Sequence, residues 1–160
     1  MTLYLLRHGD AILDTRVHDS DRPLSDFGRE QATSVGRFLS ARKTGIQHIL
    51  CSPLLRAQQT AAAVLHEIGL IPLSTTEHLT SSSDPRHILR ELSELNKEIV
   101  LLIGHEPHLS TTISMLLAGD EHSRVTMRPC SLACLSAIAP PEYNKALLQW
   151  LIHQAQMLNP

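Results

Sequence analysis

The sequence predicts an α/β domain, a three-layer α/β/α sandwich whose mostly parallel central sheet is flanked by helices. Two observations carry the prediction. Short apolar runs alternate with longer amphipathic segments of helical period, the order expected of strand–helix–strand units. Two of those runs, Leu3–Leu6 and Ile99–Ile103, are apolar throughout, as strands covered on both faces should be. A chain of 160 residues suits a single domain spanning 1–160, long enough to bury a sizeable core.

The elements follow in order. Leu3–Leu6 is the first strand, and it ends abruptly in Arg7-His8-Gly9. Residues 10–23 are polar, carry four Asp and read as a loop. Ser25 is a capping residue for a helix over Asp26–Arg42, with Ala32, Val35, Gly36 and Leu39 on one face and Gly45 in the C-cap region. Ile46–Cys51 is a second strand. Ser52-Pro53 then opens a helix to Ile68, with a capping hydroxyl followed by a proline whose missing N–H does no harm. Ile71–Thr75 is a short third strand, Glu77–Asp84 a polar loop, and Pro85 the start of a helix to Leu95. The fourth strand, Ile99–Ile103, runs into Gly104-His105-Glu106-Pro107, and Pro107 starts a helix through Ala118 that Gly119 stops. After a polar loop over Asp120–Pro129, Ser131–Ala139 and Ala146–Ile152 form two further strands joined by a turn at Pro140-Pro141.

Composition narrows the function. Hydrophobic residues make up 42% of the chain, and the formal charge of −2 argues against a general nucleic-acid binder. Eleven of the fourteen basic residues are Arg, the side chain suited to bidentate phosphate recognition. The cysteines, Cys51, Cys130 and Cys134, are odd in number and lack framework spacing, so reduced, buried thiols are expected. Arg7 and His8 break the N-terminal apolar run before it could serve as a signal peptide, and no apolar segment reaches membrane-span length. The expected setting is cytoplasmic, with no membrane or nucleic-acid partner.

Three strands therefore end in Arg7-His8, in Ser52 to Arg56, and in Gly104-His105. Ligands of open α/β sheets bind beyond the carboxyl ends of the strands. If these strands are parallel neighbours, two guanidiniums and two imidazoles face one crevice, an arrangement for a dianion. Arg56, in the first turn of a helix, adds its charge to the positive end of the helix dipole. Neither a carboxylate pair of the glycosidase kind nor a Walker loop accompanies these residues.

At this point Leu6-Arg7-His8-Gly9 resembles the signature of the histidine phosphatase superfamily, the phosphoglycerate-mutase-like fold. Arg22-Pro23-Leu24-Ser25 with Gly28, Ser52-Pro53-Leu54-Leu55-Arg56-Ala57-Gln58-Gln59-Thr60, Leu79-Thr80 before Asp84-Pro85, and Gly104-His105-Glu106-Pro107 match its further segments in order. The short chain and the Arg-His-Gly-Asp-Ala opening are most similar to the SixA-type phosphohistidine phosphatases. The resemblance implies a metal-independent phosphatase that needs no cofactor. His8 would be the transiently phosphorylated nucleophile, Arg7, Arg56 and His105 would hold the phosphoryl oxygens, and Arg22 would be a further contact at the rim. The proton donor that many members carry is left unassigned between Glu77 and Asp84. Imidazole, with a reference pKa of about 6.5, leaves more readily than an alkoxide. A site with a weak acid, and a chain with no insertion long enough to form a lid, therefore favour a phosphohistidine displayed on a phosphorelay or phosphotransfer protein. The alternatives are a small-molecule phosphomonoesterase with the same His8 chemistry, and a non-catalytic phosphate-binding module.

Other residues have plainer readings. His108, one turn after His105, is expected as a helix-surface or capping residue. His18 with Asp19 and Asp21 lacks zinc spacing and is expected in a solvated loop. Asp10 either positions the backbone or the arginines, or faces solvent.

Overall fold

The computed structural model describes residues 1–122 and 125–157. Its elements are β1 (Thr2–Arg7), α1 (Asp26–Ala41), β2 (His48–Cys51), α2 (Leu55–Ile68), β3 (Leu73–Thr75), α3 (Pro85–Leu95), β4 (Ile99–Gly104), α4 (His108–Ala118), β5 (Leu132–Ala137), β6 (Ala146–Ile152) and α5 (Gln154–Met157). Single 3-10 turns at Asp19–Asp21 and Glu77–Leu79 complete them. The six strands form one sheet in the order β3-β2-β4-β1-β5-β6. β3, β2, β4 and β1 are mutually parallel, while β5 runs antiparallel to both β1 and β6.

Alternation along β1 divides the core. Tyr4 and Leu6 join residues of α1 and α2 on one face, including Val35, Leu39, Ala57 and Val64. Leu3 and Leu5 join Ile88 and Leu92 of α3 and Ile113 and Leu116 of α4 on the other. Each such leucine, at 0% exposure, contributes roughly 1.5–3 kcal/mol of transfer free energy. This is the α/β layering expected from the all-apolar strands.

Several boundaries moved. β2 begins at His48 rather than Ile46, and β3 at Leu73 rather than Ile71. α2 begins at Leu55, because Ser52 faces another partner and leaves Leu54 as a cap without a side-chain hydrogen bond. α5 and both 3-10 turns are too short to show a period in sequence. The loop expected over residues 120–129 includes 123 and 124, which lie outside the described residues. Among the described residues, no helix is long and apolar enough to cross a membrane, and Cys51, Cys130 and Cys134 are free and buried.

Candidate active site

Register brings the three predicted strand ends together. Arg7 pairs with Gly104 across β1 and β4, and Cys51 pairs with Ile103 across β2 and β4. The next residues, His8, Ser52 and His105, therefore leave the sheet side by side. The rings of His8 and His105 lie with centroids 4.8 Å apart.

His8 is 9% exposed. Its Nδ1 stands 2.7 Å from the Gly9 carbonyl. A carbonyl only accepts, so Nδ1 carries the hydrogen and Nε2 keeps its lone pair. Burial is the main cause that lowers the His8 pKa to about 4; the Gly9 bond opposes it, and Arg56, Arg7 and Arg22 add to it. The two arginines thus act in the expected direction, but desolvation dominates.

His105, buried, is pushed down to about 3, first by burial and then by His8 and Arg56, with Asp19 opposing. Its Nε2 lies 2.8 Å from the Ser52 hydroxyl, which also accepts from the Leu54 N–H at 3.4 Å. Where that hydroxyl donates to Nε2, His105 Nδ1 is the N–H. That Nδ1 is buried with no partner in the protein. Ser52, expected as a helix cap, is thus also the ring's partner.

Arg7 donates from Nη1 to the Met127 carbonyl at 2.7 Å, and its buried Nε has no protein partner. Arg56 is anchored by Asp19: Nη1 donates to the Asp19 carbonyl at 2.6 Å and Nη2 to Oδ2 at 3.0 Å. Arg22 donates from Nη1 to the other Asp19 oxygen at 2.9 Å and from Nε to the Ile12 carbonyl at 3.0 Å. Asp19 is exposed, as expected of a solvated loop, yet its carboxylate is tied to two arginines. Sequence gave only one signal for it, its place three residues before Arg22.

The segment after Arg56 is a set of ties. Gln58 donates to the Ser52 carbonyl at 2.6 Å, Gln59 accepts from the Leu24 N–H at 2.7 Å, and the Thr60 hydroxyl accepts from the Gly9 N–H at 3.1 Å. Gly9 allows a close approach, although to protein rather than ligand: a Cβ there would stand 2.6 Å from the Gly28 carbonyl oxygen. Asp10 has a positioning role, accepting from the Ser25 hydroxyl at 2.6 Å while that hydroxyl accepts from the Gly28 N–H to cap α1.

Two further expectations change. His108 is not a surface residue. It is 2% exposed with both ring nitrogens unpartnered, because α4 is packed on nearly every side, and burial lowers it to about 4. Of the proton-donor candidates, Asp84 is engaged in capping α3 at the Arg86 N–H and pairing with the Arg86 side chain at 3.0 Å. Glu77 is exposed on the turn after β3, whose Leu79 carbonyl lies against Gly104, and no hydrogen bond joins its carboxylate to His8 or His105 among the described residues. The carboxylate that acts on His105 is that of Asp19.

Known proteins share both sequence and architecture. The histidine phosphatase superfamily (branch 1) matches residues 3–81. Phosphohistidine phosphatase SixA of Escherichia coli (strain K12) is 34% identical over 128 residues, 75% of this chain and 76% of the relative. The solved structure of the protein histidine phosphatase SixA complexed with tungstate superposes with a TM-score of 0.88 at 26% identity, covering 98% of this chain and 99% of that one. The alpha-ribazole phosphatase from Shigella flexneri, at 19% identity, covers 96% of this chain and 97% of its own with a TM-score of 0.79, a likeness of fold alone. Identity of 34% sustained over three quarters of both chains goes beyond shared architecture, and the protein belongs to the histidine phosphatase superfamily.

Proposed function

We propose that the protein is a phosphohistidine phosphatase that takes the phosphoryl group from a phosphohistidine on a partner protein and hydrolyses it through a covalent intermediate on His8. The observation that carries the reading is the His8 ring: neutral, with Nδ1 bonded to the Gly9 carbonyl and Nε2 held as a lone pair beside Arg7, Arg56 and His105.

In the first displacement the Nε2 lone pair of His8 forms a bond to phosphorus while the bond from phosphorus to the leaving group breaks. Arg7 and Arg56 meet the charge on the equatorial oxygens, supplying what a Mg²⁺ supplies in other phosphoryl-transfer sites. His105, with Nδ1 as its N–H, donates one more hydrogen bond. Arg22 steadies the rim. Water then attacks the phosphorylated His8, and the bond to Nε2 breaks to release inorganic phosphate. Splitting hydrolysis this way replaces one difficult step with two easier ones.

The substrate reading follows from the acid side of the site. Asp84 is taken up by the α3 cap and by Arg86, and an imidazole leaving group makes little demand for an acid. A second reading is hydrolysis of small phosphomonoesters by the same His8 chemistry.

Alkaline-quench trapping tests the proposal. Wild type incubated with ³²P-labelled phosphohistidine protein should carry a label stable to base and labile to acid, and His8→Ala should carry none. Faster turnover of sugar phosphates, with none of the phosphoprotein, would move the assignment to the second reading.

A further inference from the structure

The Asp19 carboxylate is bonded to Arg56 and Arg22 at once, yet the Proposed function uses neither of its oxygens. Two contacts fix it, Arg56 Nη2 on Oδ2 at 3.0 Å and Arg22 Nη1 on Oδ1 at 2.9 Å, and Arg56 Nη1 holds the Asp19 backbone carbonyl at 2.6 Å. Side-chain exposure rises from 7% at Arg56 through 22% at Arg22 to 59% at Asp19. Arg56 is thus the buried root of the cluster and Asp19 its outer end. Because Arg22 is bound to Asp19 and to the Ile12 carbonyl, the rim presents a carboxylate beside that guanidinium to whatever lies outside the phosphoryl group. A carboxylate oxygen has more than one acceptor site, and the exposed side of this one is open. The Arg56 hydrogen bond, before all else, holds the carboxyl below its usual range, so it stays ionised at neutral pH.

We propose that Asp19 is a specificity-determining residue: its carboxylate reads the leaving group and selects a protonated imidazole over alcohols and over leaving groups that carry their own negative charge. The inference rests on the phosphohistidine reading and deepens it. A phosphoimidazole carries phosphorus on one ring nitrogen and can carry a proton on the other. Asp19 accepts a hydrogen bond from that far N–H and favours the protonated ring, as a nearby anion does for any imidazole. When the His8 Nε2 lone pair bonds to phosphorus, the electrons of the breaking phosphorus–nitrogen bond return to the substrate ring. With its far nitrogen already protonated, the ring departs as neutral imidazole, and no proton moves in the step. A charge on the rim then does the work of a general acid before the bond breaks. The same carboxylate repels a leaving group bearing a carboxylate or second phosphate, so discrimination has an attractive and a repulsive part.

The test compares kcat/KM on a phosphohistidine peptide and on 3-phosphoglycerate for wild type, Asp19→Asn and Asp19→Ala, with vanadate affinity measured on each. Asn keeps an amide oxygen for Arg56 and removes the charge. Asp19→Asn should lose at least about tenfold on the phosphohistidine peptide, the scale of one hydrogen bond to a charged group. Its loss on 3-phosphoglycerate and in vanadate affinity, which report any loosening of Arg56 and Arg22, should be several-fold smaller. The basic limb of the phosphohistidine pH profile should move to lower pH, since the ring proton is less well held. Asp19→Ala should shift the substrate ratio in the same direction. Equal losses on both substrates, or vanadate affinity lost along with them, would reduce Asp19 to a brace for Arg56 and overturn the proposal. A wild type that turns over 3-phosphoglycerate and leaves the phosphohistidine peptide untouched would remove the Proposed function itself. Turnover of the peptide with an unchanged ratio would remove only the role of Asp19.

Discussion

The Thr60 hydroxyl accepts from the Gly9 N–H at 3.1 Å and donates to the Arg56 carbonyl at 2.8 Å, which ties α2 to the turn carrying His8. Thr60 is fully buried. Thr60→Val keeps the shape and leaves the Gly9 N–H without a partner, at a cost of about 1–3 kcal/mol. Urea unfolding should show that loss, and kcat should fall further than the stability change accounts for, because the nucleophile's backbone loosens. A variant with full stability and activity would contradict the tie.

The pH dependence of turnover should have an acid limb far below the ordinary histidine range. His8 attacks only when neutral, and its pKa is lowered to about 4, so the competent form persists as pH falls and is lost only through that value. Measuring kcat/KM from pH 3.5 upward on an acid-stable substrate, such as an aryl phosphate, checks this. A limb near pH ~6.5, the unperturbed value, would place the nucleophile in water rather than under cover.

Stability should move the other way along the same axis. His8, His105 and His108 have folded pKa values lowered to about 4, 3 and 4. The unfolded chain takes up their protons as pH falls through about 6.5, and the folded chain does not until much lower. Stability is therefore complete above that range and declines from pH ~6.5 toward 4, by up to about 1.4 kcal/mol per pH unit for each ring. His108→Leu should flatten the decline by one ring's share. It should also match or exceed wild type near neutral pH, since it removes two unpartnered nitrogens from a buried place.

Gly28→Ala should be severe. A Cβ at position 28 would stand 2.0 Å from the Asp10 carbonyl oxygen, backbone that cannot step aside without moving the His8 turn. The loss should exceed the ~1 kcal/mol of a typical substitution, with the thermal midpoint reporting it. Gly69→Ala is the contrast: nothing crowds its Cβ, and its cost is that of a positive φ of 91° alone.

Much of this site was legible because β1, β2 and β4 declare themselves by apolar runs that stop at once in chemistry-bearing residues. Parallel pairing then needed no further information to align Arg7-His8, Ser52 and His105. What stayed hidden was side-chain commitment across the loop. Apart from its place three residues before Arg22, nothing local distinguishes Asp19 from Asp14 or Asp21, because its role depends on where Arg56, 37 residues away, points its guanidinium. His108 was misread for a related reason. The helix it opens is buried on most faces, and a His beside Pro107 carries no mark of what covers it. Ser52 looked like a cap because a hydroxyl before proline usually is one, and only the neighbouring strand revealed its imidazole partner.

Residues 56 to 60 reach, within little more than one helical turn, the rim carboxylate, two loop backbones and the amide that follows the nucleophile. Four separate pieces of chain thus answer to a single rigid rod. A substitution under that rod, such as a larger residue at Gly36 where Val64 and Glu67 press close, would shift Arg56 and the loops tied to it together. Catalysis should then fade with gentle warming while the circular dichroism of the backbone still reads native.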